Sequence, residues 1–443
     1  MLLEFAVSNY RSIQTRQSLS LFTSGQVSPK ELSENTFTLY SKGGGKTLLR
    51  SAVIYGANAA GKSNLLKALN ALDYMVNHSN DFKLDDSISL YDPYKLDIKN
   101  KTAPVVFEID FIATDGKRYY YTVVYNRKKI IEEELWVYPT DRKVSRKALL
   151  FTRKEGNQIE FGELYKGKKD FSPNPNQLLL SKPGVDEVLA LQAAYRFFSS
   201  GLFCAIPQNT LFDEALLKML EENLSANSGN TIFQEMIGSL ARAADTGIVD
   251  IFIKDNEVST LNLPPEMPES EREKIKSKYG KRIKTVHAIY ENGLETGSEV
   301  FDLSEESSGT LKFMGLAGII IDALQKGSVV IVDELDKNLH PLLTRMLIQL
   351  FHSTETNPNN AQIVFSSHDI SLIDRDLFRR DQIIFIDKNI EGASEITRLS
   401  NFTGISKMVS LQKWYMNGMF RGIPAINSYQ IDLDIKSLKP EHA

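Results

Sequence analysis

The most specific chemistry in this chain lies in eight residues, Gly56-Ala-Asn58-Ala59-Ala60-Gly61-Lys62-Ser63. They match the P-loop pattern G-x-x-x-x-G-K-S between an apolar run and a stretch of helical spacing, the context that pattern requires. Glycines let such a loop curl so that its backbone N–H groups and the following helix N-terminus face one concavity, which favours a polyphosphate. Lys62 adds a point charge for the β- and γ-phosphates, the Ser63 hydroxyl can ligate Mg²⁺, and Asn64 follows at the helix start. A second run, Gly43-Gly44-Gly45-Lys46-Thr47, has Tyr40 where the leading glycine belongs and reads as a hairpin turn.

A second element, Val329-Val330-Ile331-Val332-Asp333-Glu334, is an apolar strand ending in two acids. Strands apolar on both faces belong inside parallel sheets, where function collects at the C-terminal ends. Asp333 is therefore a candidate Mg²⁺ ligand and Glu334 a candidate base for an attacking water. Upstream, Leu303-Ser-Glu-Glu-Ser307-Ser308-Gly309-Thr310 precedes a helical stretch, where a serine and free amides form either an ordinary N-cap or a second phosphate site. His368 follows the next strand in Ser366-Ser367-His368-Asp369.

The elements that must position these residues read as an α/β chain. Residues 2–7 and 17–22 form an opening hairpin around Ser8-Asn9-Tyr10-Arg11, and Leu48 to Tyr55 reads as one strand running into the P-loop. Gly61 to Val76 has helical spacing, residues 103–138 alternate as an antiparallel meander, and Val185 to Ala244 reads as helical. Residues 264–284, with prolines and many charges, read as an exposed loop or arm. Helix (Thr310 to Leu324), strand (Val329 to Val332), helix (Leu342 to Phe351) and strands at 362–366 and 382–386 complete a mainly parallel sheet.

Composition sets the bounds. The chain has 443 residues, 42% hydrophobic and 24% charged, ordinary for a folded protein and long enough for two or three domains. One cysteine, Cys204, excludes an internal disulfide and fits a reducing compartment. The acid in Met1-Leu-Leu-Glu4 does not suit a signal peptide, and the apolar stretch from Phe313 to Ile321 is cut by Asp322, so a cytoplasmic protein is expected. A net charge of −4 gives no global attraction for nucleic acid. Residues 127–169 nevertheless hold twelve Lys or Arg against seven acids, either a phosphate-contacting stripe or, the favoured reading, a solvated sheet.

With its P-loop and acidic strand end, the chain resembles ABC-type ATPases of the SMC and DNA-repair branch. On that resemblance Leu303 to Thr310 is similar to the Leu-Ser-Gly-Gly-Gln signature, with Ser307 and Gly309 kept. Leu335-Asp336-Lys-Asn-Leu-His340-Pro341 is similar to the D-loop, whose aspartate lies at the dimer interface. His368 stands at the switch-histidine position, and Arg11 in Ser8-Asn9-Tyr10-Arg11-Ser12 at the turn beside the adenine. Gln177 is a candidate Q-loop glutamine. The resemblance implies ATP and Mg²⁺ as ligands, with Lys62, Glu334 and His368 catalytic.

It narrows on Phe107-Glu108-Ile109, the Tyr119-Tyr120-Tyr121 strand, Ala244-Asp245-Thr246-Gly247-Ile248, Glu306 to Thr310, Arg379 to Ile383 and Gly422-Ile423-Pro424. These resemble the AAA/ABC-type ATPases of bacterial abortive-infection systems, with PARIS ATPase subunits among those similar in size and layout. About 240 residues separate the motif halves without sustained heptads, unlike SMC coiled coils, and about 75 follow His368, too few for the Toprim nuclease domain of OLD-type proteins. The expected architecture is α/β: an ABC-type P-loop NTPase core with an antiparallel hairpin and a large β/helical insertion. Its expected divisions are 1–90 (first half of the core), 91–300 (insertion), 301–426 (second half) and 427–443 (polar tail). The implied function is a regulatory ATPase that pairs head-to-tail with itself or forms higher oligomers and controls a separate effector nuclease, with a phage protein as trigger. The alternative is a DNA-binding repair or segregation ATPase of the SMC type.

Overall fold

The computed structural model describes residues 1–39, 45–139, 146–154, 158–167, 169–184, 188–206, 212–226, 231–244, 247–255, 264, 267–272, 281–405, 409–424 and 428–437. β1 (Leu2–Ser8) and β2 (Gln17–Ser20) form the expected hairpin. Leu48 to Tyr55 is not one strand. It divides into β4 (Lys46–Leu49), which pairs with β3 (Thr36–Leu39), and β5 (Ser51–Tyr55), which enters a different sheet. Arg50 makes the break: it is buried, its guanidinium donates to the Asn357 carbonyl at 2.8 Å, and an apolar run cannot reveal such a change of sheet. Of the glycine turn expected at 43–47, residues 43 and 44 lie outside the described residues, while Lys46 and Thr47 belong to β4, which pairs antiparallel with β3.

After β5 the chain passes through the P-loop into α1 (Lys62–His78). The meander follows as β6 (Val105–Ile112), β7 (Arg118–Tyr125), β8 (Ile130–Tyr138), β9 (Ala148–Lys154) and β10 (Gln158–Phe161). It hydrogen-bonds to β1, giving one seven-stranded antiparallel sheet of order β10-β9-β8-β7-β6-β1-β2. The stretch expected to be wholly helical contains α2 (Leu189–Gly201), α3 (Phe212–Ala226) and α4 (Thr231–Ala244), and also a short strand, β11 (Leu202–Ala205). Four apolar residues after a helix carry no periodicity that separates strand from helix.

β12 (Ile248–Asp255), β13 (Lys281–Glu291) and β14 (Leu294–Asp302) make a three-stranded antiparallel sheet. The loop expected through residue 284 is corrected there: β13 begins at Lys281 and buries Ile283 and Thr285. The chain ends in α5 (Ser308–Lys326), β15 (Val329–Val332), α6 (Pro341–His352), β16 (Gln362–Ser366), β17 (Ile383–Lys388), β18 (Ser394–Arg398), α7 (Leu411–Met416) and α8 (Ser428–Ser437).

The second large sheet has the order β11-β15-β16-β5-β17-β18, parallel from β11 to β17 with an antiparallel edge. Strand alternation divides its core. Ala52 and Ile54 face the layer shared with α1 and the antiparallel sheet, while Val53 and Tyr55 face α5, α6 and a C-terminal aromatic cluster around Phe385, Tyr415 and Phe420. Each fully buried Leu, Ile or Phe there stabilises by about 1.5–3 kcal/mol. With both faces covered, the C-terminal ends of β5, β15 and β16 are left as the edge where loops can converge. This is the expected α/β, ABC-type P-loop NTPase core.

Candidate functional site

The P-loop leaves β5 at Gly56 and enters α1 through Gly61, whose φ of 116° is a left-handed conformation that suits glycine. A Cβ at Gly56 would collide with the Ile386 carbonyl, and one at Gly61 with the hydroxyls of Ser394 and Ser12. Ser394 braces the loop by donating to the Ala60 carbonyl at 2.6 Å, and Asn64 Nδ2 donates to Ser12 Oγ at 2.8 Å. α1 has no side-chain N-cap and no acid in its first turn, so its terminal amides remain open to an anion. Asn58 and Ala59 are exposed, Ala60 is buried, and Ser63 is half-buried. Lys62 is buried and folds back over the loop, donating to the carbonyls of Gly56 (2.8 Å) and Ala57 (3.2 Å). Burial lowers its pKa; the carboxylates of Asp333, Glu334 and Asp336 pull the other way. The acidic motif and the P-loop lysine, distant in sequence, thus share one electrostatic site.

At the end of β15, Asp333 is buried and accepts a 2.5 Å hydrogen bond from Ser366 Oγ at the end of β16. The same hydroxyl accepts from the Glu334 amide at 2.8 Å. Glu334 has φ 55°, a left-handed backbone that costs a non-glycine residue on the order of 1–3 kcal/mol, and its carboxylate meets Lys337 at 3.1 Å. The Asp336 carboxylate accepts from the His368 amide at 3.1 Å, while His368 itself lies at the surface. Tyr55, the last residue of β5, donates to the Asp369 carbonyl at 3.0 Å and so joins the P-loop strand to the His368 loop.

Ser307 is the N-cap of α5: its hydroxyl accepts from the Thr310 amide at 3.1 Å and lies 2.9 Å from Thr310 Oγ1. A Cβ at Gly309 would lie 2.7 Å from the Asn338 carbonyl, so a glycine lets the helix start sit on the loop after Glu334. Glu306 is tied to β13 through Thr285 Oγ1 and through His287 Nε2 at 2.8 Å.

Arg11 has φ 51° and pairs with Asp92 at 3.3 Å. With Asn64, Tyr94 and Lys388 it lines a cavity of about 330 Å³ next to the P-loop helix start. Gln177 is not at this site. It is buried and donates to the carbonyls of Asn80 and Phe82, both at 2.9 Å, beyond the far end of α1. A 17-residue helix, about 25 Å long, separates it from the P-loop. The basic residues of 127–169 do not form one face: Arg153 is buried against Glu133, and Lys147 lies over the rings of Tyr120 and Trp136. Arg127 and Lys128 instead line a cavity of about 620 Å³ with Lys95 and Lys101. Arg142, Lys143 and Lys168 lie outside the described residues.

Sequence reasoning missed Ser366, Ser394, Tyr55 and Lys312. The last is a buried lysine whose ammonium donates to the carbonyls of Glu334 (2.7 Å) and Lys337 (2.8 Å). Ser366 can be found only once β16 is known to lie beside β15, where a serine ending the strand reaches the neighbouring carboxylate. Lys312 could not be found, because a lysine on a helix reads as solvent-facing.

A phosphate cradle and a paired acidic strand end on one edge of a parallel sheet define a P-loop NTPase. The chain belongs to the family described as "AAA domain, putative AbiEii toxin, Type IV TA system", whose profile matches residues 51–181 and 222–374. No curated protein matches it by sequence. Among solved structures, it is similar to an Smc head bound to the C-winged helix domain of ScpA (13% identity, TM-score 0.42, covering 94% of this chain and 99% of that one). It is also similar to an SMC head domain from Thermotoga maritima (12% identity, TM-score 0.38, 90% and 98%). A third is the recombination mediator RecF with ATP (13% identity, TM-score 0.33, 89% and 97%). Likeness at this level is distant and assigns the chain no substrate or partner. No helix among the described residues is long and apolar enough to cross a membrane.

Proposed function

We propose that this chain is a cytoplasmic regulatory ATPase that binds and hydrolyses ATP with Mg²⁺ at the P-loop. The observation carrying this reading is that the charges of Asp333, Glu334 and Asp336 act on Lys62 beside an open helix N-terminus. Among the described residues no cluster of three or more His, Cys, Asp or Glu could hold a metal alone. That fits Mg²⁺, which is held through one or two carboxylates plus substrate phosphates. Ser63 and Asp333 would hold it, and once bound it neutralises phosphate charge. The loop amides and Lys62 bind the β- and γ-phosphates, and Arg11 borders the base. Glu334 takes the proton of the attacking water, with His368, held by Asp336, beside the terminal phosphate. Ser307 and Gly309 of a second copy complete the site in a head-to-tail dimer or higher oligomer.

Control of a separate effector nuclease, released by a phage protein in an abortive-infection response, is the finer part of the proposal. It is supported by the toxin–antitoxin description of the family. The test is hydrolysis by the purified chain. Glu334→Gln should still bind ATP and turn over roughly 10²- to 10⁴-fold more slowly, and Lys62→Ala should lose binding too. A Lys62→Ala chain mixed with a Ser307→Arg chain should recover part of the activity. Turnover untouched by the first two changes overturns the reading. The SMC-type alternative is favoured by one feature, the cavity lined by Lys95, Lys101, Arg127 and Lys128. Salt-dependent DNA binding lost on reversing Arg127 and Lys128 would favour it.

A further inference from the structure

Lys312 lies in the second turn of α5, the helix capped by Ser307, yet it is only 5% exposed. A lysine is almost never buried unless its charge is met, and here the ammonium meets main-chain carbonyls. It donates to the Glu334 carbonyl at 2.7 Å and to the Lys337 carbonyl at 2.8 Å. The same helix touches the same loop a second time, where Gly309 lies against the Asn338 carbonyl. Between these contacts the loop holds two non-glycine residues in the left-handed region, Glu334 (φ 55°) and Asn338 (φ 61°). Strained conformations persist where the surroundings over-determine them. The surroundings of Glu334 can be named: Ser366 takes its amide, Lys312 takes its carbonyl, and Lys337 meets its carboxylate.

We propose that Lys312 is a positioning residue. It holds the Glu334 backbone in the left-handed conformation that aims the carboxylate, and it makes that aim depend on where the Ser307 helix sits. The inference rests on the ATPase reading for its effect on turnover, but its effect on the 333–338 loop needs no nucleotide. A shift of the helix start at Ser307 is carried by the helix and the ammonium to the Glu334 carbonyl. The carboxylates of Asp333, Glu334 and Asp336, whose charge acts on Lys62, belong to that loop, so the P-loop site senses the N-terminal end of α5.

The test pairs Lys312→Met, close in length and without charge, with Lys312→Arg, whose planar fork can donate to two carbonyls. In nucleotide-free full-length protein, amide exchange at residues 334–338 should speed up at least tenfold in Lys312→Met and return toward wild type in Lys312→Arg. Exchange in β15 and β16 should stay unchanged. With Mg-ATP, kcat should fall at least tenfold in Lys312→Met while KM and ATP affinity stay within about twofold, and Lys312→Arg should restore part of kcat. Wild-type exchange at 334–338 in Lys312→Met overturns the proposal, as does equal loss of kcat and ATP affinity, which marks a merely structural role. If the wild type hydrolyses no ATP, the ATPase reading fails while the exchange result still decides the role of Lys312.

Discussion

Removing the Ser366 hydroxyl tests the acidic end of the site directly. It is fully buried, donates to Asp333 at 2.5 Å and accepts from the Glu334 amide at 2.8 Å. Ser366→Ala deletes one charge-assisted hydrogen bond, worth about 1.5–3 kcal/mol, and strips a second from a main-chain donor, at about 1–3 kcal/mol. Relief of the desolvation of the hydroxyl offsets part of this. The net expectation is a loss of about 2–3 kcal/mol of unfolding free energy at neutral pH, read by urea denaturation. The pair can be isolated by repeating the change in an Asp333→Asn background, where the acceptor carries no charge. Ser366→Ala should cost about 1–2 kcal/mol less there, a coupling typical of directly bonded groups. Two outcomes would refute the reasoning: a loss under about 0.5 kcal/mol, or equal losses in both backgrounds.

Two further changes probe the scaffold. Gly309→Ala places a Cβ 2.7 Å from the Asn338 main-chain oxygen, so helix and loop must separate; turnover should fall at least tenfold with a melting point lowered by only a few degrees, and unchanged turnover would contradict the close approach. Asp73 in α1 has its pKa raised to about 8, by burial first, with Asn77 opposing. Because the folded value exceeds the unfolded one near 3.9, the folded chain keeps a proton that the unfolded chain has lost. Stability therefore falls as pH rises from about 4 to about 8. Asp73→Asn should raise stability on the order of 2–4 kcal/mol at pH 8.5 and little at pH 4, and a pH-independent gain would remove Asp73 as the cause.

The parts of this molecule legible in the sequence are those whose physics is local. Gly56 to Ser63 needed only glycines, a lysine and a hydroxyl at fixed spacing, and Val329 to Glu334 only an apolar run with acids at its end. What stayed illegible depends on which strands become neighbours. Ser366 matters because β16 lies beside β15, and Ser394 because β18 folds back against the P-loop. Buried polar residues mislead most. Arg50 breaks a run that reads as one strand, and Gln177, plausible by type and by its loop, is consumed in knitting the far end of α1. The sheet of β12 to β14 could have been seen, since Ile283, Thr285 and His287 alternate with polar or half-buried neighbours, but the charged stretch before it drew the boundary too late.

The two helix starts that face phosphate chemistry in this proposal are prepared differently. α1 is preceded by Gly61 with no side-chain cap, so its amides break none to receive an anion, although Lys62 exchanges its bonds to the Gly56 and Ala57 carbonyls. α5 is capped by Ser307, whose hydroxyl already satisfies the Thr310 amide. A phosphate arriving there must displace that cap, a loss of roughly 1 kcal/mol, and in return gains charge-assisted bonds worth more. On this proposal the first site fills without breaking a cap, whereas filling the second costs its cap and is the weaker step. That order makes loading of the P-loop precede pairing. In the proposed scheme the move at Ser307 takes place on the helix whose lysine holds Glu334, so the step that would join two copies is also the one that would reach the proposed base.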